Sequence, residues 1–408
     1  MLFEIHMLKN YPPTNLNRDD TGSPKSCIFG GTQRGRISSQ SLKRAWRMSE
    51  RFEKLLQKPG IRTRHLPDLV AEKLAERGMA KDIIEAWKSK ITGIANKKGT
   101  ENPKGRTSQI IIYAPDDIEA VADMVQTMNL DEFAEKEEVN KKKKSNKEGP
   151  FEKKFKEKEK EVEDRSVTLD IALFGRMVTA AAFRNVEAAM QVAHAISTHT
   201  VTRESDFYTA VDDWLEAKGK TEDESPEENV SNDGNVNESG AGMMGDIDFN
   251  SCCYYIYAAI DSDKLTENLK DSPDKQALID CVLPGIVEVM AFSNPSGKQN
   301  SFAGHIFPDL LIVEVKDDNV PASYANAFAE PAKIGYAREK GEVGLVADSV
   351  QKLAAEIDMM KKAYSLEVKH RAWFCPRYES IAPLEAEAEI VKSFTDMKEL
   401  LTAWGRGE

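Results

Sequence analysis

The stretch Ile28–Arg47, IFGGTQRGRISSQSLKRAWR, decides how this chain is to be understood. Two glycines precede a run of basic and hydroxyl residues, and the run leads straight into a helical pattern. Leu42, Ala45, Phe52, Leu55 and Leu56 fall on one apolar stripe, which predicts a helix from about Ser39 to Gln57. Ser38 or Ser39 can cap it, because a serine oxygen accepts from free first-turn amides. Gln40, Lys43, Arg44, Arg47 and Arg51 recur at three- and four-residue spacing on the opposite face. Such a face can be simply solvated. Yet cations in the first turns oppose the helix dipole, and Arg34 and Arg36 lie just ahead of them. A bound phosphate would reverse that sign, since free N–H groups, dipole and guanidinium forks would then face one anion. Gly30 and Gly31 permit a close backbone approach, but they form neither a Walker loop nor a dinucleotide fingerprint.

Working outward, the whole chain of 408 residues is acidic, with a net charge of −12, 40% hydrophobic and 30% charged residues. That length calls for about two to three structural units. Net charge alone argues against a polyanionic partner, but the charge is uneven. Glu216–Asp248 carries a net −8, and Lys141–Lys160 a net +6, so local charge decides. An odd count of 5 cysteines without a C-x-x-C pair is poor material for a disulfide frame. No apolar run of membrane length and no leader-like N-terminus occur, so a cytoplasmic protein with no membrane contact is expected.

FEIHML alternates Phe3, Ile5 and Met7 with Glu4 and His6, a half-buried first strand. NYPPTNLNRDDTGSPKS is a long loop. Leu66–Leu130 is mostly helical, interrupted by the β-branched QIIIYA. Lys136–Asp164 is an exposed charged helix or disordered. VEAAMQVAHAISTHTV has helical alanine density but a β-branched end, and its periodicity leaves both open. Lys218–Asn237 is expected to be a mobile acidic loop. DFNSCCYYIYAAI and DLLIVEVK are strands, and helices are expected at Ser272–Phe292, interrupted near Pro284, and Ala322–Ala329.

The segments LNRDD (16–20), IFGG (28–31) and RISSQSLKRA (36–45) resemble the start of the CasC-type backbone subunits of the type I-E CRISPR surveillance complex, Cascade. LDIALFGRM (169–177), AHAISTHTV (193–201), DFYTAVDD (206–213), KQNSFAG (298–304) and ANAFA (325–329) continue the resemblance in the family's order. The Lys-rich insert and the acidic loop depart from it. The resemblance implies an α+β fold: a modified RRM-like, ferredoxin-like palm with an inserted helical finger domain and a protruding thumb. The expected divisions are 1–60 (palm, first part), 61–165 (finger), 166–199 (central palm), 200–249 (thumb) and 250–408 (remaining palm and C-terminal helices). It makes VEAAMQVAHAISTHTV a palm strand.

It also implies partners: CRISPR guide RNA, target DNA reached through the guide, other copies of the chain stacked head to tail, and other Cascade subunits. No cofactor and no metal are implied. Residue by residue, the palm grip on the guide backbone would be Arg18, Lys25, Arg36, Ser38, Gln40, Lys43, Arg44 and Arg47. Met177 would wedge beside a base, and Phe207 and Tyr208 would stack at the thumb base. Stacking and phosphate contacts are indifferent to sequence, as a holder of any guide requires. Each has a plainer alternative: Met177, Phe207 and Tyr208 as core residues, and the lysines of the insert as a solvated tract. One constellation could carry chemistry. Asp19 or Asp20 could hold a divalent metal that activates water against a phosphodiester, making the chain a ribonuclease. An Asx turn or an ion pair with Arg18 that shapes the loop is the blander explanation. The I-E resemblance implies no catalysis.

Overall fold

The computed structural model describes residues 1–56, 59–96, 102, 104–127, 167–178, 183–211, 241–333, 344–377 and 388–406. The Lys-rich insert and most of the acidic stretch lie outside these residues.

Strand β1 (Leu2–Asn10) is followed by a hairpin of β2 (Ser26–Phe29) and β3 (Thr32–Ile37), then by helices α1 (Ser39–Arg47) and α2 (Glu50–Leu56). The single helix expected from Ser39 is thus two. Ser49 divides it: its hydroxyl donates to the Trp46 carbonyl (2.7 Å) and accepts from the Phe52 amide (3.2 Å), which closes one helix and caps the next. Leu42, Trp46 and Phe52 are buried from this region.

A helical unit comes next: β4 (Ile61–Thr63), α3 (Leu66–Glu76), α4 (Lys81–Ala95), β5 (Ile111–Tyr113) and α5 (Pro115–Gln126). β5 is the QIIIYA run, and it pairs with β4. Val70, Trp87, Ile91 and Val121 centre a core separate from that of the main sheet, which Val178 and Phe183 also join.

The chain then forms α6 (Leu169–Phe174), the short strands β6 (Met190–Val192) and β7 (Ala195–Ser197), a ribbon of β8 (Glu204–Val211) and β9 (Ala241–Phe249), and β10 (Cys253–Asp261). The alanine-rich segment is therefore extended. Pairing with β10 supplies its hydrogen bonds and outweighs a modest helix propensity. Helices α7 (Ser262–Asn268), α8 (Lys275–Phe292) and α9 (Gln299–Phe302) lead to β11 (Leu310–Lys316). α8 runs through Pro284 without interruption. The helix expected over Ala322–Ala329 is only a 3-10 turn, Ala325–Phe328. The chain closes with α10 (Leu345–Tyr364), β12 (His370–Phe374), β13 (Glu389–Ile390) and α11 (Phe394–Gly405).

The fold is α+β around a mixed sheet of order β13-β12-β11-β1-β10-β7-β3-β2, with β6 also on β10. All its pairs are antiparallel except β12 with β13. Within it, β1, α1–α2, β6/β7, β10, α8 and β11 form a βαββαβ unit whose strands lie in the order β11-β1-β10-β6/β7, the ferredoxin-like arrangement. The helical unit is inserted before β6, and the β8–β9 ribbon between β7 and β10.

Both faces of β1 are buried, which corrects the half-buried expectation. Phe3, Ile5 and Met7 pack under α1, α2 and α8. On the other face α10 and the 3-10 turn cover Leu2, Leu8, Tyr255 and Ile312. Glu4 and His6 are therefore enclosed, and each finds partners as a buried polar group must. Glu4 pairs with Lys316 and accepts from Tyr257; Glu314 pairs with Arg371 (2.7 Å) and accepts from Tyr324 (3.0 Å); His6 Nδ1 lies 2.8 Å from the Tyr255 hydroxyl. Burial alone would push the Glu314 carboxyl up, but Arg371, His6 and Lys316 together hold it below its usual range.

Candidate nucleic-acid interface

The loop before β2 is tightly built. Asn15 donates to the carbonyls of Gly22 (2.9 Å) and Asp248 (2.8 Å), and Asn17 Oδ1 takes the Ser38 amide (2.8 Å). Arg18 and Pro24 form a β-bridge across it. Asp19 Oδ1 accepts from the Thr21 amide (2.9 Å), the Thr21 hydroxyl (2.7 Å) and the Ser23 amide (3.0 Å). These bonds, that of the Thr21 hydroxyl foremost, hold the Asp19 carboxyl below its usual range. Asp19 is thus the Asx residue that shapes the loop.

Arg18, Asp20, Ser41, Arg44, Ser296 and Gly297 line a cleft of about 510 Å³ between this loop, α1 and the segment after α8. Arg18 and Arg44 reach it as exposed side chains from opposite walls. Gly297 permits the close packing of that wall, because a Cβ there would lie 2.3 Å from the Leu16 carbonyl oxygen.

Ser38 is the cap of α1, its hydroxyl accepting from the Ser41 amide at 3.3 Å, and Gln40 stands exposed in the first turn. Lys43 lies 5.8 Å from the centre of the Phe174 ring, and partial burial lowers its pKa. Lys25 and Arg36 are joined through the backbone, Arg36 N–H to the Lys25 carbonyl at 2.9 Å. Among the described residues, Arg18, Lys25, Arg36, Lys43 and Arg44 have no carboxylate partner.

Two neighbouring arginines are different. Arg34 is 0% exposed and donates to the carbonyls of Ser197, Thr198, Phe328 and Ala329 at 2.7–3.3 Å. It cannot serve the anion grip that its place in the sequence suggests; it ties β3 to β7 and to the 3-10 turn. The glycine pair belongs to the same joint. Gly30 (φ +59°) lies so close that a Cβ would overlap the Ala329 carbonyl oxygen. The close approach is therefore to the chain itself. Arg47 donates from Nε to the buried Asp170 (3.0 Å) and from Nη2 to the Gly60 carbonyl (3.3 Å). Its main work is to fasten α1 to α6.

Gly175 (φ +80°) ends α6, and Arg176 forms a β-bridge with Val186. Arg176 turns inward to Asp117. Met177 is left 89% exposed. Phe207 is 63% and Tyr208 38% exposed on β8, so none of the three is a core residue. Tyr208 lies over Gly245 of the paired strand; a Cβ there would meet the ring at 2.7–2.9 Å. The base of the ribbon is tied to the loop by Ser23 Oγ–H to Asp248 (2.6 Å).

One residue of this surface escaped sequence reasoning. His194 Nδ1 lies 3.0 Å from Arg36 Nη1. His194 lies in the break between β6 and β7, where the register against β10 shifts by one residue, so strand periodicity does not place it; the pairing of β7 with β3, which sets Ile196 opposite Arg36, was the missing information.

Among the described residues, no helix is long and apolar enough to cross a membrane. A family model described as CT1975-like protein matches residues 3–225 and 229–403. No curated protein matches. Among solved structures, one chain described as "CRISPR RNA-guided surveillance complex, pre-nicking" is 26% identical, with a TM-score of 0.74, covering 99% of this chain and 100% of that one. A second, described as "CRISPR RNA-guided surveillance complex", is 22% identical with a TM-score of 0.65 over the same shares, a likeness of fold alone.

Proposed function

Since the chain belongs to the CT1975-like protein family, we propose that it is a subunit of a CRISPR RNA-guided surveillance complex, and within it the backbone subunit that holds the guide RNA. The observation that carries this is the division of the cations. Arg34 and Arg47 are engaged inside the fold, by carbonyls and a buried carboxylate, and Arg51 is paired with Glu288 at the surface. Among the described residues, Arg18, Lys25, Arg36, Lys43 and Arg44 stay without carboxylates, in a chain with many acids to offer. Ser38 and Gln40 add neutral donors. Such a surface grips a sugar–phosphate backbone without reading sequence.

In the same reading, Met177, Phe207 and Tyr208 meet bases, and copies of the chain stack head to tail along the guide, as in a type I-E Cascade. Target DNA is then read by pairing with the guide. The subunit is cytoplasmic and performs no chemistry itself. The Asx role of Asp19 supports a structural loop in place of the ribonuclease alternative.

The test is recovery of the protein from cells carrying a CRISPR array. It should copurify with RNA of discrete length. Complementary RNA and DNA added with Mg²⁺ should remain intact. Protein free of RNA overturns the guide-holding role; Mg²⁺-dependent cleavage abolished by Asp20→Ala overturns the non-catalytic one.

A further inference from the structure

We propose that His194 is a positioning residue for Arg36: its bare ring nitrogen Nδ1 accepts from the guanidinium and fixes the direction in which Arg36 meets a phosphate. The inference rests on the guide-holding reading of the palm surface. Its geometry does not. β3 and β7 pair with Arg36 opposite Ile196 and Ile37 opposite Ala195, and His194 immediately precedes β7, beside the end of β3. The Nη1–Nδ1 separation is 3.0 Å.

A guanidinium has only donors and does not deprotonate in a protein. The ring must therefore accept, which selects the tautomer with its proton on Nε2. The exposed ring then offers Nε2–H as a second donor toward solvent. The charges acting on the ring are Arg36 of β3 and Lys25 of the arm before β2, both positive. Partial burial first, and then these two cations, lower its pKa, so the neutral, accepting ring is the form present at physiological pH. The benefit is preorganisation. A long side chain already held in one direction loses less freedom when it binds.

The test is a double-mutant cycle on the full chain, with a fluorescently labelled single-stranded RNA at pH 8. His194→Ala should weaken binding about three- to tenfold alone, and less than about twofold in an Arg36→Ala background. His194→Asn places a carboxamide oxygen near the position of Nδ1 and should recover most of the affinity. Once pH falls below the ring's lowered pKa, the protonated ring can no longer accept, so the coupling to Arg36 should fade in the parent as pH falls, yet persist in His194→Asn. Additive costs in the cycle, or His194→Asn behaving as His194→Ala, overturn the proposal. A second measurement needs no RNA: ¹⁵N spectra of histidine-labelled protein at pH 8 should show His194 unprotonated at Nδ1. A proton on Nδ1 overturns the proposal outright. Failure of the parent to bind RNA overturns the reading of the surface, while the ¹⁵N spectrum still decides the Arg36–His194 pair.

Discussion

Arg44 and Arg47 stand one helical turn apart and do different things, because one has a buried carboxylate in reach. Asp170 is 0% exposed and takes bonds from Arg47, Thr168 and the Gly60 amide. Removing one partner of such a pair leaves an uncompensated buried charge. Arg47→Ala should therefore destabilise the fold by about 3 kcal/mol, visible as a lowered midpoint in urea. Lys43→Ala with Arg44→Ala should leave the midpoint nearly unchanged. That double variant should instead weaken RNA binding alike for all sequences and flatten its log–log salt slope by roughly one unit per lost phosphate contact. An unchanged slope would assign both residues to a solvated face. The face itself is legible in the sequence, since helical spacing alone aligns Gln40, Lys43, Arg44 and Arg47. Which of them is free is not legible, because Asp170 lies 123 positions from Arg47. Arg34 shows the same limit: in sequence it belongs to a basic run, and only the fold reveals the carbonyls around it.

At the scale of elements, local pattern found β10, β11 and the helices of the inserted unit, whose signals are strong and self-contained. It failed where a distant partner decides. The alanine-rich β6–β7 segment is extended because β10 lies beside it. β1 looks half-buried because nothing in FEIHML announces α10, which covers Glu4 and His6 more than 300 residues later. The cover makes a testable weak point. Arg371→Met removes the partner of Glu314 and should cost about 3–5 kcal/mol at neutral pH. The pH dependence has a definite sign. In the parent, the carboxyl is held below its unfolded value, so its contribution is present above that value and lost as pH falls through the depressed one. Without Arg371, burial is opposed only by His6 and Lys316, and the carboxyl moves up from its depressed value. The variant's deficit in thermal midpoint should then be largest at neutral pH and narrow toward pH 4. A deficit constant with pH would show that Glu314 does not depend on Arg371.

For the whole molecule, the ribbon of β8 and β9 stands apart from the main sheet, and Glu204 to Tyr208 are exposed along it. A two-stranded ribbon is marginally stable by itself in water, which favours an external partner. Phe207→Ala with Tyr208→Ala would remove stacking of about 1–3 kcal/mol per base but leave the palm cations. Such a protein should still bind RNA at low salt, and sedimentation on a fixed-length RNA should show shorter or less regular assemblies than the parent. Normal assembly would make both aromatics bystanders. The order of the main sheet has one more consequence, which concerns synthesis. β1 precedes every other described strand, and among the described residues it pairs with β10 and β11, its closest register partner in sequence being Asn10 with Cys253. At elongation speeds of about 5–20 residues per second, roughly 12–50 s pass before that partner exists. Throughout that interval an apolar nine-residue strand with two unsatisfied edges waits on the ribosome. A chaperone that shields such strands during synthesis should raise the yield of folded chain, while the separate core of the helical unit is free to fold first.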